Sequence, residues 1–280
     1  VSISWKRMNS IFIFEKPKGF QFRAGQHGRM TLIKPTETDA EGNSRFLSFA
    51  SSPQEADLIF AMRMRDSAFK RILGRMQKGD NVLMQMRLDN PHGSFTLHDD
   101  TTKPAVFVIG GIGIVPAFSM IKDAIERNLA HKISLFYSNR RPEDAPFLID
   151  LQKLAKKHPS FKLVATMTQA EKTWQGETGK INQSMLKKYI YDLESPIYYV
   201  AGLPEMTSAM KTMLTKSGVK EDNIRAEEFT GFNLNDMHNM SRMHGAPNNI
   251  GKNKNHIILI ATALLILAVV IGHIIAGTSL

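Results

Sequence analysis

The pattern of hydrophobic and polar residues changes near residue 100. Before it, short segments rich in β-branched and aromatic residues alternate with turns that contain Gly or Pro, as in antiparallel sheets. The predicted strands are residues 11–15, 26–33, 46–50, 58–64, 81–86 and 94–97. One helix, residues 67–76 with Ser67 as its N-cap, interrupts them. This pattern predicts a small antiparallel β-barrel over residues 1–101.

After residue 104, apolar strands alternate regularly with amphipathic helices. The predicted strands are residues 106–109, 133–137, 161–167, 197–201 and 224–227, and the predicted helices are 118–128, 146–157, 183–189 and 204–216. Such alternation is typical of a parallel sheet with helices on both faces. The sequence therefore predicts a second, α/β domain over residues 102–232.

The first strand of this α/β domain runs directly into a glycine-rich turn. Gly110, Gly111 and Gly113 follow the apolar run, and Pro116 opens the next helix. Glycines allow a phosphate to approach the backbone, and the helix N-terminus offers free amides and a partial positive charge. The turn thus predicts a nucleotide site, although glycines here would also serve tight packing alone.

The C-terminal segment has the composition of a membrane anchor. Residues 257–276 are apolar except for Thr262, Gly272 and His273, and about 20 such residues span a bilayer as a helix. Lys252 and Lys254 precede the segment, which predicts that the folded part faces the cytoplasm. We therefore predict a linker over residues 233–255 and a transmembrane tail anchor over residues 256–278. The alternative is a buried core helix.

Composition and charge narrow the classes of function. The chain has 280 residues, a net charge of +10 and no cysteine. Without cysteine, these residues form neither a disulfide nor a cysteine-ligated iron–sulfur or zinc site. The positive charge favours an anionic partner, such as an acidic protein, a phosphate-bearing cofactor or a lipid surface. The basic residues are scattered and form no nucleic-acid-binding motif, so we expect no nucleic acid partner. We also expect no metal site.

Five blocks of sequence resemble those of the ferredoxin–NADP reductase superfamily of flavin-dependent NAD(P)H oxidoreductases. They are Arg45-Phe-Leu-Ser48, Ser67-Ala-Phe-Lys70, Gly110-Gly-Ile-Gly-Ile-Val-Pro116, Ala201-Gly-Leu-Pro-Glu-Met206 and the closing Glu227-Glu-Phe229. Their order and spacing carry the resemblance, which covers residues 3–232. It implies an FAD-binding β-barrel followed by an NAD(P)-binding α/β domain.

The resemblance also implies roles for individual residues. Ser48 is expected to hydrogen-bond the reactive ring nitrogen of the flavin, and Glu228 to relay protons to the site. The FAD-binding residues are expected to be Arg45, Phe46, Leu47, Ser48, Ser67, Phe69 and Lys70. The residues expected to bind NADPH or NADH are Gly110, Gly111, Gly113, Pro116, Ser138, Arg140, Arg141, Ala201, Gly202, Pro204, Met206 and Phe229.

Two residues depart from the family pattern, and two others bear on the choice of nucleotide. Leu47 replaces a tyrosine that stacks on the flavin, and Ala201 replaces a cysteine near the nicotinamide. Arg140 and Arg141 follow the second strand of the α/β domain, where an arginine can hold the 2′-phosphate of NADPH, so they favour NADPH slightly over NADH.

The function expected from these features is that of a membrane-anchored flavoprotein oxidoreductase. It would take a hydride from NAD(P)H onto FAD and pass electrons to a ferredoxin-like, haem or other membrane-associated acceptor. The first alternative is a non-catalytic flavin-binding interaction subunit of a membrane redox complex. The second is a nucleotide-sensing regulator that binds nicotinamide without flavin.

Overall fold

The computed structural model describes residues 2–6, 9–76, 83–85 and 91–229. Within these ranges, no helix is both long enough and apolar enough to cross a membrane. The predicted linker and membrane anchor lie outside the described residues, as do parts of the predicted strand 81–86.

The N-terminal part consists of six short strands in two antiparallel sheets. The strands are β1 (Ser2–Lys6), β2 (Asn9–Glu15), β3 (His27–Thr31), β4 (Ser44–Ser48), β5 (Asp57–Arg63) and β6 (Leu83–Gln85). One sheet has the order β1-β2-β5 and the other β4-β3-β6. No pairing joins these two sheets among the described strands, so the closed barrel stays a prediction.

The predicted strand at residues 94–97 is wrong. The Thr96 N–H donates to the Ser94 carbonyl at 2.8 Å, a local turn that competes with strand pairing. The Thr96 carbonyl accepts instead from Arg225 Nη1 at 2.6 Å. The apolar side chain that suggested a strand, Phe95, is buried in the core.

Helix α1 (Ala68–Arg75) confirms the helix predicted in this part of the chain. The Ser67 hydroxyl accepts from the Lys70 N–H at 3.4 Å, as expected of an N-cap. Phe69 and Leu73 face a core of phenylalanines that includes Phe49 and Phe60. Burial of this apolar face fixes α1 against the strands.

The C-terminal part is a six-stranded parallel sheet, which confirms the α/β prediction. Its strands are β7 (Ala105–Gly110), β8 (Ile133–Asn139), β9 (Phe161–Met167), β10 (Glu177–Thr178), β11 (Ile197–Gly202) and β12 (Ile224–Glu228). Their order is β10-β9-β8-β7-β11-β12. The helices are α2 (Ile114–Glu126), α3 (Leu148–Lys157), α4 (Gln183–Tyr189) and α5 (Pro204–Lys216). The prediction missed the two-residue β10.

Two predicted helix starts are corrected. Helix α2 begins at Ile114 rather than at residue 118, because Gly113 already has helical backbone angles. Helix α3 begins at Leu148 rather than at residue 146, because Phe147 has a left-handed φ of 58°. A left-handed residue cannot belong to a right-handed helix.

A network of buried hydrogen bonds connects the segment between the two parts, which contains His98, to the parallel sheet. The Tyr199 hydroxyl accepts from the His98 N–H at 2.8 Å and lies 3.0 Å from His98 Nδ1. His98 Nε2 donates to the Lys103 carbonyl at 3.0 Å, so Nδ1 accepts from the tyrosine hydroxyl. His131 Nε2 in turn donates to the His98 carbonyl at 2.9 Å. All three side chains are buried.

Tyr199→Phe should therefore destabilise the fold. It leaves the buried His98 N–H and Nδ1 without the hydroxyl, at a cost of about 1–3 kcal/mol. We expect the free energy of unfolding, measured with urea, to fall by that amount. Tyr191→Phe is the matched control, because Tyr191 is fully exposed, and its effect should stay within about 0.5 kcal/mol. Equal stabilities of the two variants would contradict this account.

Candidate functional site

A pocket of about 340 Å³ lies at the carboxyl ends of the parallel strands. Open α/β sheets bind ligands at this edge. The pocket brings together seven of the residues predicted to bind the nicotinamide nucleotide. These are Gly110, Gly111, Ser138, Arg140, Gly202, Met206 and Phe229. Ala201 and Pro204 adjoin lining residues in the sequence, whereas Gly113 and Pro116 are buried at the start of α2.

The three glycines differ in what surrounds them: two permit close packing, and one faces open space. A Cβ on Gly113 would lie 2.6 Å from the Ala201 carbonyl oxygen, so this glycine permits close packing of α2 on β11. A Cβ on Gly110 would lie 2.3 Å from Met206 Sδ. Gly111 has a φ of 54° and no atom within 4 Å of the Cβ position, so it leaves open space beside the pocket.

The two arginines after β8 each have an acidic neighbour. Arg140 Nε lies 3.7 Å from Asp144 Oδ2, and Arg141 Nη1 lies 4.0 Å from Glu143 Oε1. Arg140 and Asp144 line the pocket, whereas Arg141 is not among its lining residues. The positive charge predicted here for a 2′-phosphate is thus offset by carboxylates.

Sequence reasoning missed several lining residues, namely Arg63, Ile112, Asn139, Asp144, Thr168 and Leu203. Asn139 ends β8 and Thr168 directly follows β9. Both lie at the carboxyl edge of the sheet, a position that the predicted strands alone would have indicated. Arg63 lies on β5 of the N-terminal part, and no pattern in the sequence indicated that it would line this pocket.

A cluster of cations surrounds the start of α1 and contains the residues predicted to hold a flavin diphosphate. Arg45 is 7% exposed, and its Cζ lies 4.9 Å from the centre of the Phe69 ring. Lys70 Nζ donates to the Arg63 carbonyl. Burial, followed by the neighbouring cations Arg65 and Arg45, lowers the pKa of Lys70 to about 8. Lys70 thus lies in a region of concentrated positive charge that suits an anionic group.

Two carboxylates that sequence reasoning missed contact this cluster. Arg45 Nη2 donates to Glu41 Oε2 at 2.8 Å, and Arg65 Nη2 donates to Glu41 Oε1 at 2.6 Å. The Ala68 N–H, at the start of α1, donates to Asp39 Oδ2 at 2.6 Å. This bond is the main cause that lowers the pKa of Asp39. The signal in the sequence was the i,i+4 spacing of Glu41 and Arg45.

The other predicted flavin residues lie on β4. Ser48 is buried, and Leu47 packs partly against the phenylalanine core. Phe46 is 46% exposed, with its ring edge-on to His27 at 5.8 Å. Phe46 therefore does not take the place of the missing tyrosine at residue 47, because neighbouring strand residues point to opposite faces.

The last strand places its two glutamates on opposite faces. The predicted proton relay, Glu228, is exposed, and its Oε1 accepts from the Thr207 hydroxyl of α5 at 3.1 Å. Glu227 lies opposite Ala201 in the sheet register. Its buried Oε2 has no hydrogen-bond partner within the described part of the chain, and burial raises its pKa to about 7. Glu227 is the better candidate for a group that exchanges protons near neutral pH.

A hydrogen bond from another residue of β12 shows to which face of the sheet each glutamate side chain points. Arg225 donates to the Thr96 carbonyl and so shows which face of β12 is turned towards the N-terminal part. Strand alternation then places Glu227 on that face and Glu228 against α5. The sequence motif alone fits both glutamates equally well, so it could not separate them.

These residues fit two nucleotide cofactors. The pocket combines a glycine turn, a helix N-terminus and polar strand ends, which suits a dinucleotide. The cluster of Arg45, Arg65 and Lys70 beside the start of α1 suits a second diphosphate. The fold and its site thus define a two-part nucleotide-dependent oxidoreductase architecture.

Comparisons with known proteins agree with this class. Residues 107–212 match the family model described as oxidoreductase NAD-binding domain. The chain is 25% identical over 215 residues to terephthalate 1,2-dioxygenase reductase component 1 of Comamonas sp., covering 76% of this chain and 60% of that protein. It is 31% identical over 225 residues to a subunit of the Na(+)-translocating NADH-quinone reductase of Yersinia pseudotuberculosis, covering 74% and 54%.

Among solved structures, the ferredoxin NADP+ reductase from Neisseria gonorrhoeae, with bound FAD and NADP, superposes with a TM-score of 0.65. The identity is 23%, and the match covers 79% of this chain and 92% of that one. The chain spans 60% or less of the length of the two relatives named above. The family model supports an oxidoreductase that binds a nicotinamide nucleotide, and the likeness to the solved structure supports the predicted fold.

Glu227→Gln should change how stability depends on pH. The folded-state pKa of Glu227 is near 7, whereas the ordinary pKa of a glutamate is about 4.5. The free energy of unfolding of the protein therefore falls as the pH rises from about 4.5 towards 7, because the fold disfavours the charged form of this carboxyl. At pH 8 the variant should be more stable than the wild type by about 3 kcal/mol, and at pH 4.5 nearly equally stable. Urea unfolding at both pH values measures this, with exposed Glu228→Gln as the matched control. A gain that is independent of pH would contradict the assignment.

Proposed function

We propose that the chain is a membrane-anchored flavoprotein that takes a hydride from NAD(P)H onto FAD and passes the electrons to a separate acceptor. The observation that carries the proposal is that one residue, Arg63, belongs to both candidate nucleotide sites. Arg63 is one of the residues that line the pocket, and its carbonyl accepts from Lys70 in the cationic cluster. Hydride transfer requires two cofactors held next to each other, and this connection favours that arrangement.

The side chains act by binding, orienting and exchanging protons. Arg45, Lys70 and the amides at the start of α1 would hold the flavin diphosphate, and the glycine turn with the start of α2 would hold that of the nicotinamide nucleotide. The Ser48 hydroxyl would hydrogen-bond the reactive flavin ring nitrogen. Glu227 holds or releases a proton near neutral pH. When bound, the flavin would supply the capacity to accept a hydride and to pass on single electrons, which these side chains lack.

We propose NADH as the preferred nicotinamide nucleotide. Asp144 and Glu143 offset the charge of Arg140 and Arg141, and a carboxylate beside the ribose repels a 2′-phosphate while accepting from a 2′-hydroxyl. The slight preference for NADPH that the arginines suggested is replaced by a preference for NADH.

The acceptor is proposed to be a protein or small molecule at a membrane. One relative is named as the reductase component of a dioxygenase and another as part of a Na(+)-translocating NADH-quinone reductase. The net charge of +10 suits an acidic carrier or a lipid surface. We propose that the apolar residues 257–276 anchor the chain, with the catalytic part facing the cytoplasm.

A non-catalytic flavin-binding protein of a membrane redox complex is the second candidate. Leu47 and Ala201 favour this candidate, because they depart from the family pattern at the positions expected beside the flavin and the nicotinamide. Binding would then persist without turnover, since neither residue belongs to the phosphate-binding groups.

An anaerobic absorbance titration of the FAD-loaded, 280-residue chain in detergent separates these candidates. NADH should bleach the flavin at a lower concentration than NADPH does. Asp144→Ala should narrow that difference, because it removes the carboxylate next to Arg140. Glu205→Ala, on an exposed turn of α5, is the control. A flavin that neither nucleotide bleaches would favour the non-catalytic candidate, and a chain that FAD cannot load would overturn the flavoprotein.

The anchor is tested by truncation after Asn248. We expect the 280-residue chain to sediment with the membrane fraction and the truncated chain to stay in the supernatant, because the proposed anchor is the long apolar segment. Replacing Leu264, Leu265 and Leu267 by lysine in the untruncated chain should also release it. A truncated chain that stays in the membrane fraction would contradict the anchor.

A further inference from the structure

The groups assigned to the flavin diphosphate are already engaged by an acidic segment of the chain itself. This acidic strap, residues 37–41, lies between β3 and β4 and carries Glu37, Asp39 and Glu41. Asp39 accepts from the Ala68 N–H at the start of α1. Glu41 accepts from both Arg45 and Arg65.

The strap and the residues that follow it, 42–44, satisfy most of the Arg45 guanidinium. Besides Glu41 Oε2, the carbonyls of Glu41, Gly42 and Ser44 accept from Arg45 Nη1 at 2.9, 3.1 and 2.8 Å. Arg45 is 7% exposed. A donor that is buried and engaged in this way cannot also bind a phosphate from solvent unless the carboxylate moves away.

Two carboxylates at the start of a helix resemble the two phosphates of a dinucleotide in charge and in the donors they use. Each is an anion that takes charge-assisted hydrogen bonds from arginine or from free helix amides. Asp39 and Glu41 therefore occupy the same donors that a diphosphate would need.

The strap has the local structure of a compact turn. Asp39 closes it, because its Oδ1 accepts from the Glu41 N–H at 3.0 Å and its carbonyl accepts from the Gly42 N–H at 2.9 Å. Gly42, where the strap joins β4, has a φ of 70° and no atom within 4 Å of its Cβ position. Glu37 accepts from Arg71 Nε at 3.0 Å and lies 3.1 Å from Arg75 Nη2, away from Arg45.

We infer that the acidic strap competes with the diphosphate of FAD for Arg45, Arg65 and the start of α1, so that flavin binds only when Asp39 and Glu41 are displaced. The inference rests on the proposed function, which supplies the flavin as ligand. It adds that the flavin is exchangeable, because the strap offers the same donors another partner. Neither the resemblance nor the comparisons indicate such a competitor.

The test is a fluorescence titration of the flavin-free, 280-residue chain with FAD and, separately, with riboflavin, which has no phosphate. The Asp39→Asn/Glu41→Gln variant keeps hydrogen-bond acceptors in place and removes the two competing charges. We expect its Kd for FAD to be at least tenfold lower than that of the wild type and its Kd for riboflavin to be unchanged. Glu37→Gln, in the same strap, is the matched control and should behave as the wild type.

Equal FAD affinities of the double variant and the wild type would overturn the strap inference and leave the flavoprotein proposal intact. Absence of FAD binding in every variant would overturn the flavoprotein proposal and the strap inference with it. Hydrogen–deuterium exchange on the wild type keeps the test valid if the double variant does not fold. FAD should increase exchange of the Glu41 and Gly42 amides, whereas a decrease would mean that the strap closes over the flavin and would overturn the inference.

Discussion

The backbone contact between the start of α2 and the end of β11 is the constraint on which the rest of the structure depends. The position of a Gly113 Cβ, 2.6 Å from the Ala201 carbonyl oxygen, leaves no room for any other residue. This approach sets the start of α2 beside the carboxyl ends of β7 and β11, where the pocket lies. The Ile114 N–H at the start of α2 donates to the Gly111 carbonyl, and at the end of β11 the Gly202 carbonyl accepts from the Phe229 N–H at 2.8 Å.

Charge balance is the second constraint, and it explains why acids and cations share the start of α1. Arg45 is buried, and a buried cation without a counter-charge is strongly destabilising. Glu41 and Asp39 supply that counter-charge within the fold. A diphosphate would supply it as well, so the same electrostatic requirement can be met by the chain or by a ligand.

Apart from β10, the elements of the α/β part could be predicted from the sequence to within four residues at each end, whereas the long-range contacts of the N-terminal part and its acids could not. A buried parallel strand such as β7 is a continuous apolar run, and helices α4 and α5 have clear amphipathic patterns with distinct ends. The formation of short antiparallel strands depends on partners far away in the sequence. Residues 94–97 therefore have the pattern of a strand but do not form one. Asp39 contacts Ala68 across 29 residues, and no local pattern shows such a contact.

Buried hydrogen bonds also determine how the segment between the two parts meets the sheet. His98 is held by Tyr199 of β11 and by His131, which precedes β8, while Thr96 is held by Arg225 of β12. These bonds lie in or beside a hydrophobic core that contains residues of both parts, including Ala24, Phe95 and Phe107. Breaking them would leave buried polar groups unsatisfied, so hinge motion at this segment is costly. Exchange of a ligand at α1 is therefore easier through movement of the surface strap than through separation of the two parts.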